Sequence, residues 1–353
     1  MTSNSLRSLR DLPAQLGGRA TGVQRTRIEA SPQFRDGQFS NTMPASNPPA
    51  ANMPRVLVAM ATGRAARRPH RPVPLHTPAA GDPTGLHVTW FGHSSALVEI
   101  EGHRVLLDPV WSQRCSPAPF AGPKRLHEAP VPLRELPPLD AVVISHDHYD
   151  HLDMATIQDL NTLQAVPFVV PLGVGAHLRR WGVPDSRIIE LDWHETTRVA
   201  DMELTATPAR HFSGRGLHRN DTLWASWVIK GPTRRVFYSG DTGYFPGFTE
   251  IGTQHGPFDA TLIQIGAYDT NWPDIHMLPE DGVQAHLDVN GGLLIPVHWA
   301  TFNLALHDWA EPADRTWRAA KDHDVALAIP QPGQRVDVDN PPPVDAWWQF
   351  LTR

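Results

Sequence analysis

Short apolar runs bounded by turn residues recur along the chain from residue 86 onward, and this pattern predicts many β-strands. Longer stretches in which apolar residues return every three or four positions predict the helices between them. We expect strands at Leu86–Trp90, Ala96–Ile100, Arg104–Leu107, Ala141–Ile144, Phe168–Pro171, Arg187–Leu191, Glu203–Thr207, Ala225–Ile229, Arg235–Ser239, Ala260–Ile265, Leu293–Pro296 and Ala326–Ile329. We expect helices at Met154–Leu163, Val174–Trp181, Pro279–Leu287 and Pro312–Lys321.

The first 84 residues lack this regularity and are rich in Pro, Ser, Asn, Arg and Ala. We therefore predict an N-terminal extension over residues 1–84, partly irregular or wrapped over a domain that spans residues 85–353. Within it, the apolar segment Met53–Ala61 is followed by several arginines. That segment is either a short helix that contacts an anionic membrane surface or a segment docked on its own domain.

Composition narrows the class of protein. The 353 residues carry a net charge of −6 without a long basic run, so we expect no nucleic-acid partner. Cys115 is the one cysteine, which excludes disulfides within the chain and cysteine-based zinc clusters. The sequence has no apolar stretch long enough for a membrane span and no apolar region behind Arg7 and Arg10. We expect a cytoplasmic protein whose membrane contact, if any, is peripheral.

The segment His146–His151 carries the strongest chemical signal. It directly follows the apolar run Ala141–Ile144 and places His146, His148, Asp150 and His151 within six residues. A packed interior does not accept so many polar side chains without partners, so the strand is expected to deliver them to metal ions. Imidazole nitrogen and carboxylate oxygen suit zinc, and also iron or manganese.

Further polar residues follow other predicted strands at a similar short offset. His211 follows Glu203–Thr207, Asp241 follows Arg235–Ser239, and His298 follows Leu293–Pro296. Strand ends at one edge of packed sheets converge, so we expect these side chains to meet the histidine cluster. Taken alone, each has an ordinary structural explanation: Asp241, for example, lies in a Gly-Asp-Thr-Gly sequence that also fits an Asx turn.

The number of ligands fits two metal ions. His146, His148 and His211 would supply three nitrogens to the first ion, and Asp150, His151 and His298 would hold the second. Asp241 would bridge them. Each ion would keep an open position, as in catalytic sites, and two ions about 3.5–4 Å apart lower the pKa of a shared water. Such a site stays positively charged, which favours an anionic substrate such as a phosphate ester.

These residues resemble the metallo-β-lactamase superfamily, whose signature is H-x-H-x-D-H followed by a distant His, Asp and His. The resemblance implies an α+β fold, the four-layer αββα sandwich, with a dinuclear site at one edge. It also implies that all seven residues are metal ligands and that the cofactors are two zinc ions, other divalent metals being compatible with the same ligands. The ligand positions are His146, His148, Asp150, His151, His211, Asp241 and His298.

The match is closer within one branch, the N-acylphosphatidylethanolamine-hydrolysing phospholipases D and their bacterial relatives. The motifs that carry it are Trp90–His93, Leu107–Ser112, Phe120–Arg125, Leu136–Asp140, Gly240–Tyr244, Ile265–Tyr268 and His298–Phe302. The branch implies a phosphodiesterase that releases N-acylethanolamine and phosphatidic acid, often as a homodimer. Two departures concern the substrate: Asp147 stands where Asn is expected, and His194 where an aromatic residue is more common.

Several supporting residues are assigned from position and resemblance. Asp150 and His276 are the candidate catalytic residues, His276 as a contact to phosphate or a proton donor to the leaving group. Asp108 and Thr242 are expected to hydrogen-bond ligand side chains, a role also open to His93, which is otherwise a buried structural histidine. Aromatic residues suited to an apolar entrance for acyl chains are Trp111, Phe120, Tyr244, Tyr268 and Trp272.

Two other functions share this ligand set. A lactonase or another soluble hydrolase would need a small polar pocket, whereas a lipid enzyme needs an apolar groove. The substrate is therefore a small molecule or a phospholipid. A di-iron redox protein on the same fold usually has a glutamate where His148 stands, and no flavin-binding partner domain is evident in this sequence.

Overall fold

The structure, a computed structural model, describes residues 12–45, 58–59, 62, 66–78, 81–118, 120–216 and 218–352. Of the apolar segment Met53–Ala61, only residues 58 and 59 are among them. The prediction of a membrane-contacting helix there therefore lies outside the described residues. In the described part, no helix is both long and apolar enough to cross a bilayer.

The strands form a small hairpin and two large mixed sheets. The hairpin consists of β1 (Phe34–Arg35) and β2 (Gln38–Phe39). The other strands are β3 (Leu86–Gly92), β4 (Ser95–Ile100), β5 (His103–Leu107), β6 (Ala141–Val143), β7 (Phe168–Pro171), β8 (Ile188–Leu191), β9 (Thr196–Val199), β10 (Met202–Thr207), β11 (Ser226–Lys230), β12 (Arg235–Tyr238), β13 (Phe258–Gln264), β14 (Gly291–Val297), β15 (Ala326–Leu327) and β16 (Arg335–Asp337).

One large sheet has the strand order β16-β3-β4-β5-β6-β7-β8, and the other has the order β15-β14-β13-β12-β11-β10-β9. In the first, β5 to β8 run parallel; in the second, β12 to β15 run parallel. Since β10 is antiparallel to β11 and β11 to β12, β10 points the same way as β12. The carboxyl ends of these strands therefore share one edge of the second sheet.

Helices cover the outer faces of both sheets. The helices are α1 (Leu12–Gln15), α2 (Val23–Glu29), α3 (Met154–Leu163), α4 (Gly175–Arg180), α5 (Gly247–His255), α6 (Pro279–Asp288) and α7 (Glu311–Asp322), with 3-10 turns at Leu133–Glu135, Asp185–Arg187 and Trp347–Leu351. The inner apolar faces of the two sheets form the main core. A second cluster lies under α3 and α4, and a third under α5 and α6. The expected four-layer αββα sandwich is confirmed.

The main differences from the predicted elements involve short or polar segments. The strand β9, Thr196–Val199, is polar and half exposed at a sheet edge, so it lacks the buried alternation on which the prediction depends. The three-residue β16 is too short to show a period. The helix α5 contains glycine and threonine, which are weak helix formers, and was not predicted.

The described N-terminal residues pack against the sandwich. Ile28 from α2 and Phe39 from β2 are buried in the main core. The carbonyls of Ala14 and Gln15 accept hydrogen bonds from the side chains of Trp181 and Arg215. These described parts of the extension therefore lie against the sandwich, while the division into an extension and a domain at residue 84 stays a prediction.

Acid is expected to destabilise this fold through His286 on α6. The ring is buried and bonded to Thr261 Oγ1 at 2.8 Å, and burial lowers its pKa from 6.5 to about 4. Between these pH values the unfolded chain binds the extra proton, so stability is lost as the pH falls. Urea unfolding at pH 7 and pH 5 should therefore show that His286→Gln loses about 2 kcal/mol less stability than the unaltered protein.

The exposed His323, substituted by Gln, is the matched control and should keep the pH dependence of the unaltered chain. Equal losses for His286→Gln and the unaltered protein would show that His286 does not bear this linkage.

Candidate metal centre

The predicted ligands meet at the edge where parallel strands end. The loop after β6 carries the segment His146–His151, which we call the metal loop. His211 follows β10, Asp241 follows β12, and His298 directly follows β14. The two sheets therefore contribute ligands from opposite sides, and all of them face a buried space at the end of the sandwich.

Three imidazole nitrogens form the first group. His148 Nδ1 lies 2.8 Å from His146 Nε2 and 3.3 Å from His211 Nε2. Zinc–nitrogen bonds of about 2.0–2.1 Å place tetrahedral ligands about 3.3 Å apart, so this spacing suits one ion. The first trio of the sequence analysis is thus brought together.

The second group lies beside the first and shares Asp241 with it. Asp150 Oδ2 lies 3.5 Å from His151 Nε2 and 3.3 Å from His298 Nε2. Asp241 Oδ2 lies 3.1 Å from His151 Nε2 and 3.0 Å from His298 Nε2. The same oxygen is 4.0 Å from His146 Nε2 and 3.9 Å from His211 Nε2, so it stands between the two groups.

The donor set fits metal ions better than it fits hydrogen bonding alone. Asp241 Oδ1 is buried and has no hydrogen-bond partner among the described residues, which is costly for a carboxylate oxygen. His211 Nδ1 donates to the carbonyl of Ile275 at 2.9 Å, which leaves its Nε2 free to accept a metal. His211 can therefore bind a divalent cation through Nε2 while its Nδ1 keeps the hydrogen bond to Ile275.

Asp108 orients two of the proposed ligand side chains through hydrogen bonds. Its carboxylate accepts the Nδ1 proton of His151 at 2.6 Å and the Ser145 hydroxyl at 2.5 Å. Ser145 Oγ in turn lies 2.9 Å from His146 Nδ1. One buried carboxylate therefore orients both rings, so that each presents Nε2 to the site.

Asn41 in the N-terminal extension holds the main chain of His211, a contact that the sequence did not predict. Asn41 donates from Nδ2 to the carbonyl of His211 at 2.7 Å and accepts the His211 N–H on Oδ1 at 3.0 Å. Trp224 Nε1 also donates to this Oδ1, at 3.0 Å. Asn41 belongs to a segment without periodicity, and no local pattern pointed to it.

The backbone around the site adopts conformations that few side chains favour. His93, Asp108 and His298 have positive φ angles of 51°, 35° and 66°. Gly240, at φ 53°, precedes Asp241, and a Cβ there would lie 2.8 Å from Ala225 O. Such strain is tolerated where surrounding contacts hold the chain, and here it occurs at and beside the proposed ligands.

Burial and neighbouring charges together set the charge of the site. Burial lowers the pKa of His146 and His211 well below the ordinary imidazole value, so both rings are neutral at pH 7 and able to coordinate. Burial alone would raise the pKa of Asp150 and Asp241, but the neighbouring histidines outweigh it and lower both pKa values well below the ordinary range. The two carboxylates are therefore ionised.

His276 and His93 both border the ligands. His276 Nδ1 lies 4.0 Å from Asp241 Oδ2, and burial lowers its pKa to about 3, so it faces the site as a neutral ring. His93 Nε2 lies 2.8 Å from Asp150 Oδ2, and its ring packs 4.0 Å from that of His298. His93 directly follows β3, just as the proposed ligands follow their strands, and this position in the sequence indicates a role at the site.

The prediction for Thr242 is wrong in its contact. Its hydroxyl donates to the carbonyl of Gly243 and accepts the N–H of Arg210, at 2.7 and 2.9 Å, and no ligand side chain is among these partners. Thr242 instead fixes the main chain next to His211.

Two of the aromatic residues chosen for a substrate entrance lie elsewhere. The indole N–H of Trp111 donates to the carbonyl of Val131 at 2.7 Å, and its ring packs against Phe91. Phe120 is 62% exposed on a surface loop. Neither observation joins these residues to the two ligand groups, and their role at a substrate entrance stays a prediction.

The two tyrosines also point away from the ligands. Tyr244 donates to Asp288 on α6 at 2.5 Å, which raises the pKa of Tyr244 to about 12. Tyr268 donates to Glu311 on α7 at 2.9 Å. Both hydroxyls are bound in the outer helical layer, and the role of these two residues at the entrance stays a prediction.

Trp272 does lie in an apolar cluster beside the ligands. It packs in a small group with Ile275 and Ala305, against which the half-buried Phe212 and Leu304 rest. The Phe212 ring lies 4.5 Å from that of His148. Phe212, which the sequence analysis missed, directly follows a ligand and joins this cluster to the metal centre.

Loss of Asn41 is expected to weaken metal binding. Asn41→Ala removes both hydrogen bonds that hold the His211 main chain, and loss of such outer contacts costs about 10–100-fold in metal affinity. Competition with a fluorescent zinc chelator measures the effect. Thr42→Ala alters the same segment without touching these bonds and should bind zinc normally; equal affinity of the two variants would refute the role of Asn41.

Comparison with known proteins shows which family this chain resembles. A profile described as the beta-lactamase superfamily domain matches residues 103–299. An uncharacterised protein of Mycobacterium tuberculosis is 53% identical over 98% of this chain and 94% of its own length. The N-acyl-phosphatidylethanolamine-hydrolyzing phospholipase D 1 of Caenorhabditis elegans is 37% identical over 69% of this chain and 73% of its own length.

A solved structure agrees in fold. Igni18, a metallo hydrolase from Ignicoccus hospitalis, superposes with a TM-score of 0.55 at 22% identity, over 71% of this chain and 97% of its own. At this level of identity the likeness concerns the fold alone. With the profile match and the two relatives, the chain belongs to the metallo-β-lactamase superfamily, in the branch of the N-acylphosphatidylethanolamine-hydrolysing phospholipases D, and is a metal-dependent hydrolase.

Proposed function

We propose that the protein is a dinuclear zinc phosphodiesterase that releases N-acylethanolamine and phosphatidic acid from N-acylphosphatidylethanolamine. The observation that carries the proposal is the position of Asp241 Oδ2, 3.0–4.0 Å from nitrogens of both ligand groups. The name of the nematode relative supports the substrate class.

Two ions would be held by the two groups described above. His146, His148 and His211 would bind one, Asp150, His151 and His298 the other, and Asp241 would bridge them. When bound, two zinc ions supply Lewis acidity that activates a water and neutralises charge on phosphoryl oxygens. Because the chain contributes two carboxylates to four cationic charges, the loaded centre keeps a positive charge that favours a phosphodiester.

His276 is suited to contact the substrate. It lies between β13 and α6 with its ring 5.2 Å from that of His298, and its Nδ1 has no hydrogen-bond partner among the described residues. A neutral imidazole with one unused nitrogen can donate to a phosphoryl or leaving-group oxygen. Asp150 would hold a metal and orient the attacking water, with His93 fixing its carboxylate.

An apolar side of the centre supports a lipid over a small polar lactone. Phe212 and Leu304 rest on the Trp272 cluster, and Phe302 packs with Val110 in a neighbouring cluster against which Leu304 also rests. The Phe302 ring lies 5.2 Å from that of His93. Acyl groups placed along these side chains would leave the phosphodiester at the metals.

An activity screen tests the substrate. Zinc-loaded protein should hydrolyse N-acylphosphatidylethanolamine faster than a generic phosphodiester such as bis(p-nitrophenyl) phosphate, and should leave lactones intact. A chelated sample serves as the blank. A preference for lactones would contradict the proposal and identify the protein as a lactonase. Activity that requires iron and a reductant would contradict it and identify a redox protein.

Asp241→Ala is expected to remove turnover without unfolding the chain. The bridging oxygen is lost, so kcat/KM should fall on the order of 10³-fold, while the melting transition of the metal-free protein is retained. Asp159→Ala, an exposed aspartate on α3, is the control and should be fully active. Turnover of Asp241→Ala at the control level would rule out the proposed catalytic centre.

A further inference from the structure

A second cavity lies behind the metal loop, and none of the seven proposed ligands lines it. Its volume is about 740 Å³, within the range of small-molecule sites. One wall is the N-terminal segment from Pro13 to Ala20, and the other includes Asp147 of the metal loop and the chain around Arg215.

The N-terminal segment packs closely against α4 at one side of the cavity. A Cβ on Gly17 would lie 1.9 Å from His177 Nδ1, and one on Gly18 would lie 2.2 Å from the Ala176 carbonyl. The Gly18 N–H donates to His177 Nδ1 at 3.0 Å. His177 Nε2 in turn lies 3.2 Å from Asp147 Oδ2, so the wall is built on defined contacts.

The charges that line the cavity are mainly cationic, although the chain as a whole carries −6. Four arginines line it against two aspartates. Asp147 is already engaged by His177 and by the N–H of Gly214, at 2.7 Å. Arg19 is exposed and makes no hydrogen bond or ion pair with another described residue. Arg25 is paired with Glu29 at 2.7 Å, which leaves three arginines against the two aspartates, and this excess of positive charge favours an anion.

The most buried of these arginines is incompletely satisfied. Arg215 is 5% exposed, and its Nη1 donates to the carbonyls of Asp147 and Leu152, both at 2.7 Å. Its Nη2 is buried and has no partner in the described part of the chain. A guanidinium group left short of one acceptor is costly.

We propose that this cavity is a second ligand site that binds a phosphate-bearing anion. Arg19, Arg180 and Arg215 reach it from three elements: the N-terminal segment, α4 and the loop after β10. Guanidinium groups that approach from several directions match the several oxygens of a phosphate. Leu16, Ala20 and Ile28 add an apolar side, which suits a phosphate attached to a carbon skeleton.

The site would be linked to the metal centre through Arg215. The same guanidinium that lines the cavity holds the carbonyls of Asp147 and Leu152, which lie on either side of the ligands His148, Asp150 and His151. Its plane also lies 4.0 Å from the Tyr149 ring. An occupant would therefore contact the residue that fixes the metal loop.

Calorimetric titration of the zinc-loaded full-length protein with glycerol 3-phosphate and with dihexanoyl phosphatidic acid tests the proposal. Arg19→Glu should weaken one binding event about ten- to hundredfold, and Arg180→Glu should weaken the same event. Arg134→Glu, which reverses an exposed arginine outside the cavity, should bind as the unaltered protein does. The Asp241→Ala variant should retain the event that depends on Arg19.

The two titrants separate a soluble phosphate ester from a lipid headgroup, because tighter binding of either identifies the source. Binding that is unchanged by Arg19→Glu and Arg180→Glu, or that vanishes entirely in Asp241→Ala, would assign phosphate to the metal centre alone and overturn the proposal. Absence of binding by the unaltered protein would overturn it as well. None of these results depends on which substrate the metal centre hydrolyses.

Discussion

The buried carboxylate of Asp108 is the constraint on which the metal centre depends. It is fully buried at the end of β5 and accepts four hydrogen bonds at 2.5–2.7 Å: from the N–H and hydroxyl of Ser145, from His151, and from the Tyr238 hydroxyl. Tyr238 ends β12 in the opposite sheet, so this one group ties both sheets together where the ligands meet. A buried charge is tolerated only when it is satisfied in this way, and removal of a partner is costly. The orientation of His146 and His151 follows from it.

The same edge of the sandwich is held both by strands and by side chains from distant segments. The strands fix where each ligand begins, while the metal loop and the chain around His211 are held by side chains from distant segments, Arg215 and Asn41. The part of the N-terminal extension that carries Asn41 thereby supports the metal centre, although it contributes none of the proposed ligands. On one side of the metals lies an apolar cluster around Trp272 and Phe212, and behind the metal loop lies a cationic cavity.

The convergence of the proposed ligands at one edge was predictable because their signal is local. Each follows an apolar run, and the run itself specifies a buried strand, so spacing along the sequence translates into position in space. Contacts between distant segments carry no such signal. Asn41 lies in an irregular stretch. Phe212 directly follows His211, and the sequence gives no sign of a role for it apart from that of the histidine. The sequence did not predict the contacts of Tyr244 and Tyr268, because an aromatic residue can point to either side of its loop, and here the outer helices supply acceptors for both hydroxyls.

Anomalous diffraction at the zinc edge, from crystals of the full-length protein grown with zinc, tests the central claim most directly. The account predicts two peaks about 3.5–4 Å apart, one among the three imidazole nitrogens of His146, His148 and His211, and the other beside Asp150 and His298, with Asp241 between them. A single peak, or peaks away from these side chains, would contradict a dinuclear centre.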